Sequence, residues 1–225
     1  KVYDIKKIKI NKIKNVNPII IGGGGLLGEK RFDARIRLLL ELSSKIKILW
    51  GAGDNVQNNS DNPNFKEYLS KFDLFGIRDY IPEYKSNWLP CVSCKHSIFD
   101  IAKNNKITEE FVIFEHKDRP MQLDLNVPIM NNLGNDIVKV VNFLSTGETI
   151  ITNSYHGAYW AQLLGKKVLV NSWSSKFQNM KHNVTFFNGS LKESIKSVKE
   201  NNFVLEECRQ INDQYMNRVI DILNK

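Results

Sequence analysis

Apolar and polar positions along the chain switch repeatedly between a strand period and a helix period. Pro18 to Ile21 is a short apolar run that ends in Gly22-Gly23-Gly24-Gly25. From Glu29 to Ser44 the apolar residues Phe32, Ile36, Leu39 and Leu40 recur at i, i+4, i+7 and i+8, one face of a helix. Ile46 to Trp50 is the next strand, closed by Gly51-Ala52-Gly53-Asp54-Asn55. A polar loop rich in Asn and Asp over residues 56–64 leads to a short helix at Phe65 to Lys71. A third strand, Phe72 to Ile77, then ends at Arg78-Asp79. Strand, loop, helix and strand in this order is the grammar of a parallel sheet.

Residues 79–110 hold Pro82, Pro90 and a cysteine pair, and read as a link between two halves. A second α/β run follows. Phe111 to Phe114 is a strand ending at Glu115-His116-Lys117, and Asp136 to Ser145 is a helix with Ile137, Val140, Val141 and Leu144 on one face. Thr149 to Thr152, Gly157 to Leu164 and Lys167 to Val170 read as strand, helix and strand. Ser190 and Glu193 form a capping-box signature for a helix through Glu200. The last helix, about Glu206 to Leu223, sets Cys208, Ile211, Tyr215, Val219 and Ile222 along one stripe. The pattern predicts an α/β protein with two Rossmann-like lobes, residues 1–105 and 106–225, whose strand ends converge on a ligand, with the last helix as a candidate to pack back on the first lobe. One continuous sheet is the alternative.

Composition narrows the partners. At 225 residues, 42% apolar and 25% charged, the chain reads as a soluble globular protein with no signal-peptide pattern and no run of membrane-spanning length. Its first residue is Lys, as expected of a trimmed chain with more sequence upstream. The net charge of +8 favours an anionic partner, and a small anionic ligand over nucleic acid, since no basic cluster carries interleaved stacking aromatics. Six lysines fall in the first seventeen residues, between Ile5, Ile8, Ile10 and Ile13. A solvated edge strand or basic arm is the plain reading, and contact with an anionic membrane face the sharper one. Three cysteines, Cys91, Cys94 and Cys208, fit a reducing, cytoplasmic compartment. The Cys91-Val92-Ser93-Cys94 spacing reads as a structural loop ahead of a metal site.

The candidate chemistry lies at strand ends. His156, after Asn153 and Ser154 and before Gly157, opens a helix beyond the strand Thr149 to Thr152. That placement suits an acid/base or a phosphate contact. Glu115 and His116 end a neighbouring strand. Arg78 can clamp a phosphate or carboxylate bidentately, or pair with Asp79. Gly23, Gly24 and Gly25 allow a close backbone approach to a ligand or a tight turn. Gly23, Gly25 and Gly28 echo the dinucleotide spacing, but the next strand runs into Gly51 without an acidic residue, so a dinucleotide cofactor is set aside. Ser174, Ser175 and Lys176 follow the strand Lys167 to Val170 and suit a phosphate or sugar.

Taken in order, Ile19 to Leu27 with its four glycines, Gly76-Ile77-Arg78-Asp79 and Ile151-Thr152-Asn153-Ser154-Tyr155-His156-Gly157-Ala158 resemble the polysaccharide pyruvyl transferase family. The resemblance runs from about residue 18 to residue 172. It implies a two-lobed fold like that of GT-B glycosyltransferases, with no metal or cofactor. It also implies transfer of a pyruvyl group from phosphoenolpyruvate to sugar hydroxyls of a cell-surface polysaccharide or its lipid-linked precursor. The glycine-rich segment, Arg78 and His156 match the family's motifs. Ser154 stands where many members carry an arginine, so charge for an anionic donor falls to Arg78, Arg119 or Lys176. The first lobe would take the acceptor, and the second, with Glu115, His116 and Ser174 to Lys176, the donor. A glycosyltransferase using a nucleotide sugar and a glycan-binding lobe without turnover are the alternatives. The expected location is cytoplasmic, with peripheral contact at the inner face of the cell membrane as an option.

Overall fold

The computed structural model describes residues 2–10, 13, 16–56, 64–134 and 136–225. The chain divides into two compact units. The first holds Lys1–Val92, Ser174–Asn179 and Gln210–Lys225; the second holds Ser93–Trp173 and Met180–Arg209. The chain therefore passes between units several times, where the sequence pattern predicts one passage near residue 105. Most of the polar loop of residues 56–64, namely 57–63, lies outside the described residues, as do Lys1, Lys12 and Lys14 of the basic start. The mixed α/β class is as expected, and both sheets are parallel.

The first unit is built on β1 (Ile19–Leu27), β2 (Lys47–Asp54) and β3 (Leu74–Ile77), in that order across the sheet. Helix α1 (Lys30–Leu40) and the single turn α2 (Lys66–Leu69) connect them. Alternation along the strands sorts the core into two faces. Ile19, Ile21, Leu49 and Ile77 pack with Phe32, Ile36, Leu39, Tyr68 and Leu69 from the helices. Ile48 and Leu74 point the other way and meet Leu89, Tyr215 and Val219. The predicted stripe on the last helix explains this second face, because Tyr215 is buried and its hydroxyl donates to the Leu49 carbonyl at 2.6 Å.

Two expectations for this unit need correction. The glycine run does not follow β1 as a loop; it lies inside the strand, with Gly22 opposite Trp50, Gly24 opposite Ala52 and Gly25 opposite Gly53. Gly23 and Gly24 hold positive φ values of 49° and 82°, which side-chain-bearing residues rarely adopt, so the ladder continues through them in an irregular form. The basic start forms no edge strand among the described residues. Ile5, Ile10, Ile13 and Val16 instead pack against the core, and Arg35 donates to the carbonyls of Ile5 and Ile8 at 2.9 and 3.2 Å. Its apolar positions outweigh its lysines, of which Lys6, Lys7 and Lys9 remain exposed.

The second unit has five parallel strands: β4 (Glu109–Glu115), β5 (Ile129–Asn131), β6 (Gly147–Thr152), β7 (Lys167–Val170) and β8 (Thr185–Phe186). Their spatial order is β5-β4-β6-β7-β8. Short β5 and β8 carry too few apolar residues to stand out in the sequence. Helices α3 (Ile98–Ala102), α4 (Ile137–Thr146), α5 (Tyr155–Leu163) and α6 (Leu191–Lys196) belong to this unit, while α7 (Val204–Leu223) begins in it and ends in the first. Asp136 caps α4 by accepting from the Lys139 N–H at 3.0 Å. Ser190 caps α6 through the Glu193 N–H at 3.4 Å, but that helix stops at Lys196, short of Glu200. The connection from β4 to β5 has no helix; Met121, Leu123, Leu125 and Val127 from it cover Ile113, Ile151 and Leu169.

Helix α5 lies against the opposite face, and Gly157 sets how closely. A Cβ added there would stand 2.5 Å from Phe114 Cδ1 and 2.5 Å from Thr152 Oγ1, both buried. Gly157→Ala is therefore expected to lower stability by about 1–3 kcal/mol through forced separation of α5 from β4 and β6. Urea denaturation checks this, and an unchanged midpoint would mean that the helix steps back freely.

Candidate functional site

Two polar clusters form at carboxyl ends of strands, one in each unit, where open parallel sheets bind ligands. In the first unit β2 ends at Asp54-Asn55 and β3 leads into Arg78-Asp79. Asp79 Oδ2 accepts the Asp54 N–H at 2.7 Å, so the two strand ends are joined beyond the regular ladder. Asn55 Nδ2 donates to the Gly25 carbonyl at 3.3 Å, which ties in β1. Arg78 is only 6% exposed. Its guanidinium reaches the Asp54 carbonyl at 3.4 Å, and the Trp88 indole N–H holds its own carbonyl at 3.1 Å. Its side chain runs across Gly53, where an added Cβ would overlap it, so the glycine makes the path of the arginine.

Ser174, Ser175 and Lys176 belong to this same unit. The reason is a short two-way tie. Ser175 Oγ accepts the Val56 N–H at 3.0 Å, and the Ser175 N–H donates to the Val56 carbonyl at 3.2 Å. The Tyr80 N–H to Asn179 carbonyl bond at 2.8 Å anchors the other end of the segment. This brings Lys176 near Arg78. Burial first, and then the Arg78 charge, lower the Lys176 ammonium to about 8, while Glu29 opposes the change. Two cations are thus held close at the ends of β2 and β3.

Two carboxyls complete the cluster. Burial raises Asp79 to about 6 against the opposing effects of Arg78 and the Asp54 N–H. Burial also raises Asp54, opposed by hydrogen bonds from Ser175, Asn55 and Val56. The sequence reading singled out neither carboxyl for a role of its own. The signal was present, since Asp54-Asn55 closes a buried strand. β2 does therefore end on an acidic residue, contrary to the ground on which a dinucleotide was set aside. Its carboxyl is engaged within the fold, however, and the glycines lie in β1 rather than in a strand-to-helix turn.

In the second unit the order of strands reverses between β4 and β6, and Asn153 stands at the end of β6 on that line. Asn153 Oδ1 accepts the His116 N–H at 2.6 Å, and its Nδ2 donates to the Arg119 carbonyl at 2.7 Å. Its own carbonyl accepts the Trp173 indole N–H at 2.9 Å. Glu115 is committed to the same loop, with Oε2 accepting the Met121 N–H at 2.7 Å. The His116 ring meets Trp173 edge-on at 5.4 Å. Buried Ser154 precedes α5; its N–H donates to Thr152 Oγ1 at 3.0 Å, and its side chain makes no capping bond. His156 lies in the first turn of α5, half-buried, with its ring stacked on Trp160 at 5.0 Å. The Trp160 indole in turn donates to Ser93 Oγ at 2.9 Å.

The predicted residues thus fall into two groups. Gly25, Arg78, Ser175 and Lys176 assemble in the first unit, and Glu115, His116 and Asn153 in the second, with Ser154, His156 and Gly157 opening α5. Cys91 is half-buried and Cys94 and Cys208 are buried. Among the described residues no group of three or more His, Cys, Asp or Glu is placed to hold a metal, and no helix is long and apolar enough to cross a membrane.

A family model described as polysaccharide pyruvyl transferase matches residues 1–175. It spans both clusters up to Ser175 and gives the glycosyltransferase reading no support. No curated protein and no solved structure matches the chain.

The buried carboxyl supplies a test of the first cluster. Asp79 is 2% exposed, and its folded value of about 6 lies above the ordinary 3.8. Its protonated form is the one the fold favours. Stability from this group is full below about pH 4 and is lost as pH rises through about 6. Asp79→Asn retains an oxygen to accept the Asp54 N–H and carries no charge. Between pH 4 and pH 7 the wild type should lose up to about 3 kcal/mol more unfolding free energy than Asp79→Asn. Parallel denaturant titrations at the two pH values check this, and identical slopes for both proteins would rule it out.

Proposed function

Because the chain belongs to the polysaccharide pyruvyl transferase family, and so to the transferases, we propose that it moves a pyruvyl group from phosphoenolpyruvate onto hydroxyls of a sugar in a cell-surface polysaccharide or its precursor. The observation that supports this donor most directly is the pair of cations in the first unit. Phosphoenolpyruvate carries a carboxylate and a phosphate on adjacent positions. Arg78 offers a planar, permanently charged donor set, and Lys176 a compact ammonium that regains stability when an anion arrives. The Arg78 position also coincides with the Gly76-Ile77-Arg78-Asp79 motif of the resemblance.

The proposed chemistry has three requirements. The donor's methylene carbon must take a proton, an acceptor hydroxyl must bond to the central carbon, and the phosphate must leave. Addition of a second hydroxyl at the same carbon gives a ketal and balances the reaction as donor plus diol to ketal plus inorganic phosphate. Proton transfer of this kind is the ordinary work of a histidine, and His156 is the assigned acid/base. Arg78 and Lys176 hold the donor's negative charge, and the outer face of β1 at Gly23 and Gly24, where no atom of the described residues stands within 4 Å of an added Cβ, gives room for a bulky substrate.

Incubation with phosphoenolpyruvate and a panel of sugar acceptors, followed by phosphate release and mass spectrometry of a pyruvylated sugar, tests the reading. His156→Ala should lower kcat by about 10²–10⁴-fold with a smaller change in KM. Arg78→Ala should chiefly raise the KM for phosphoenolpyruvate. Full turnover in His156→Ala would remove the histidine from the chemistry, and absence of any pyruvylated product across the panel would sink the assignment.

Lys176 adds a pH signature. Its ammonium loses its proton at about 8, so the KM for phosphoenolpyruvate should climb as pH passes that value. In Lys176→Met the KM should be higher throughout and the climb absent. A climb that survives the substitution would assign it to another group.

A further inference from the structure

From the strand-order reversal in the second unit we infer a separate oxyanion subsite, centred on Arg119, that takes a carboxylate or phosphate carried by the sugar substrate. The inference rests on the pyruvyl-transfer reading only for the word substrate; the subsite itself rests on geometry. Crossovers from β4 and β6 leave toward opposite sides of the sheet, which opens a crevice at the carboxyl ends of those two strands. Arg119 stands at that crevice, in the loop that leaves β4.

Its position is built rather than incidental. Asn153 holds the Arg119 carbonyl at 2.7 Å, and the Arg119 N–H closes a turn onto the His116 carbonyl at 2.9 Å. The same asparagine's carbonyl takes the Trp173 indole N–H at 2.9 Å. One buried side-chain-and-backbone unit therefore fixes both the arginine and the ring beneath it. The guanidinium carbon lies 4.4 Å from the centre of the Trp173 ring. An arginine stacked in this way gives its face to the ring and keeps its in-plane N–H edges for a partner.

No partner of the usual kind occupies those edges. Arg119 is exposed, and no carboxylate among the described residues pairs with it. Neighbouring Lys117 is different, being spent on Asp118 at 2.7 Å. A planar, oriented donor fork without a carboxylate, beside the half-buried Trp173 and His116, fits the bidentate recognition of an oxyanion. Aromatic rings beside the fork suit a sugar, so the acidic group met by Arg119 is assigned to the sugar substrate. Uronic acids and sugar phosphates share that chemistry.

The Trp173 indole N–H provides a readout at the site itself. Its resonance in the full chain is assigned by its loss in Trp173→Phe and then followed during titration with glucuronate, glucose 1-phosphate and glucose at constant ionic strength. Saturable shifts are expected with one or both acidic sugars and not with glucose. Response to glucuronate alone identifies a carboxylate as the source, and response to glucose 1-phosphate alone a phosphate. Arg119→Ala and Arg119→Gln should each weaken the acidic ligand by at least about tenfold, with partial recovery in Arg119→Lys, while Lys117→Ala stays within about twofold. Affinity unchanged in both Arg119→Ala and Arg119→Gln, or an equal shift with glucose, would overturn the subsite. A lost shift in Arg119→Ala without any pyruvyl transfer in the wild type keeps the subsite and removes the functional reading. Intact transfer with no Arg119 effect does the reverse.

Discussion

A single device holds each candidate site together: a side chain at the end of one strand accepts the first N–H that its neighbour's ladder leaves over. In the first unit Asp79 takes the Asp54 N–H at 2.7 Å; in the second, Asn153 takes the His116 N–H at 2.6 Å. Parallel strands diverge at their ends, and a buried peptide group without a partner there costs free energy comparable to a lost hydrogen bond. These two contacts satisfy that demand and keep the strand ends at a fixed separation. The candidate side chains then follow from them. Arg78 is the residue before Asp79, and Arg119 hangs from the other end of the Asn153 amide.

The same two residues differ in chemistry, and the difference matters. Asn153 is neutral and commits both ends of its amide, so these two contacts need no charge. Asp79 is a buried acid beside a buried arginine and a half-buried lysine, in a group of charges whose desolvation is only partly offset. Such a cluster costs folding free energy, and perturbed charges gathered at strand ends are a feature that candidate binding sites share.

Much of the fold was legible in the sequence. The apolar stripe of α1 appears in the core as predicted, the stripe of α7 buries Tyr215 and Val219, and β7 falls on the predicted residues. These segments are strongly periodic, and burial follows period directly. Legibility failed where period was weak or competed with turn chemistry. Gly22 to Gly25 looked like a loop because glycine favours turns, yet pairing with β2 carried the strand through them. Strands β5 and β8, of three and two residues, are too short to carry a pattern at all. Among site residues, Arg78, Asn153 and His156 were visible through their positions at strand ends. Asp79 as a carboxyl held by the Asp54 N–H, and Arg119 as a residue hung on Asn153, were not, because their roles lie in contacts with residues 25 and 34 positions away.

The sequence by itself determined the alternation of strands and helices, the parallel sheets that follow from it, the strand-end placement of Arg78, Asn153 and His156, and a family resemblance carried by three ordered motifs. It could do so because each depends on neighbours within a few residues. Only the tertiary structure decided that Ser175 and Lys176 join Arg78, that the Tyr215 hydroxyl of the last helix meets the Leu49 carbonyl, and that Asn153 sets both Arg119 and Trp173. Each of those is a long-range contact chosen by burial and hydrogen-bond satisfaction, and no local pattern in the chain encodes which distant partner meets the demand.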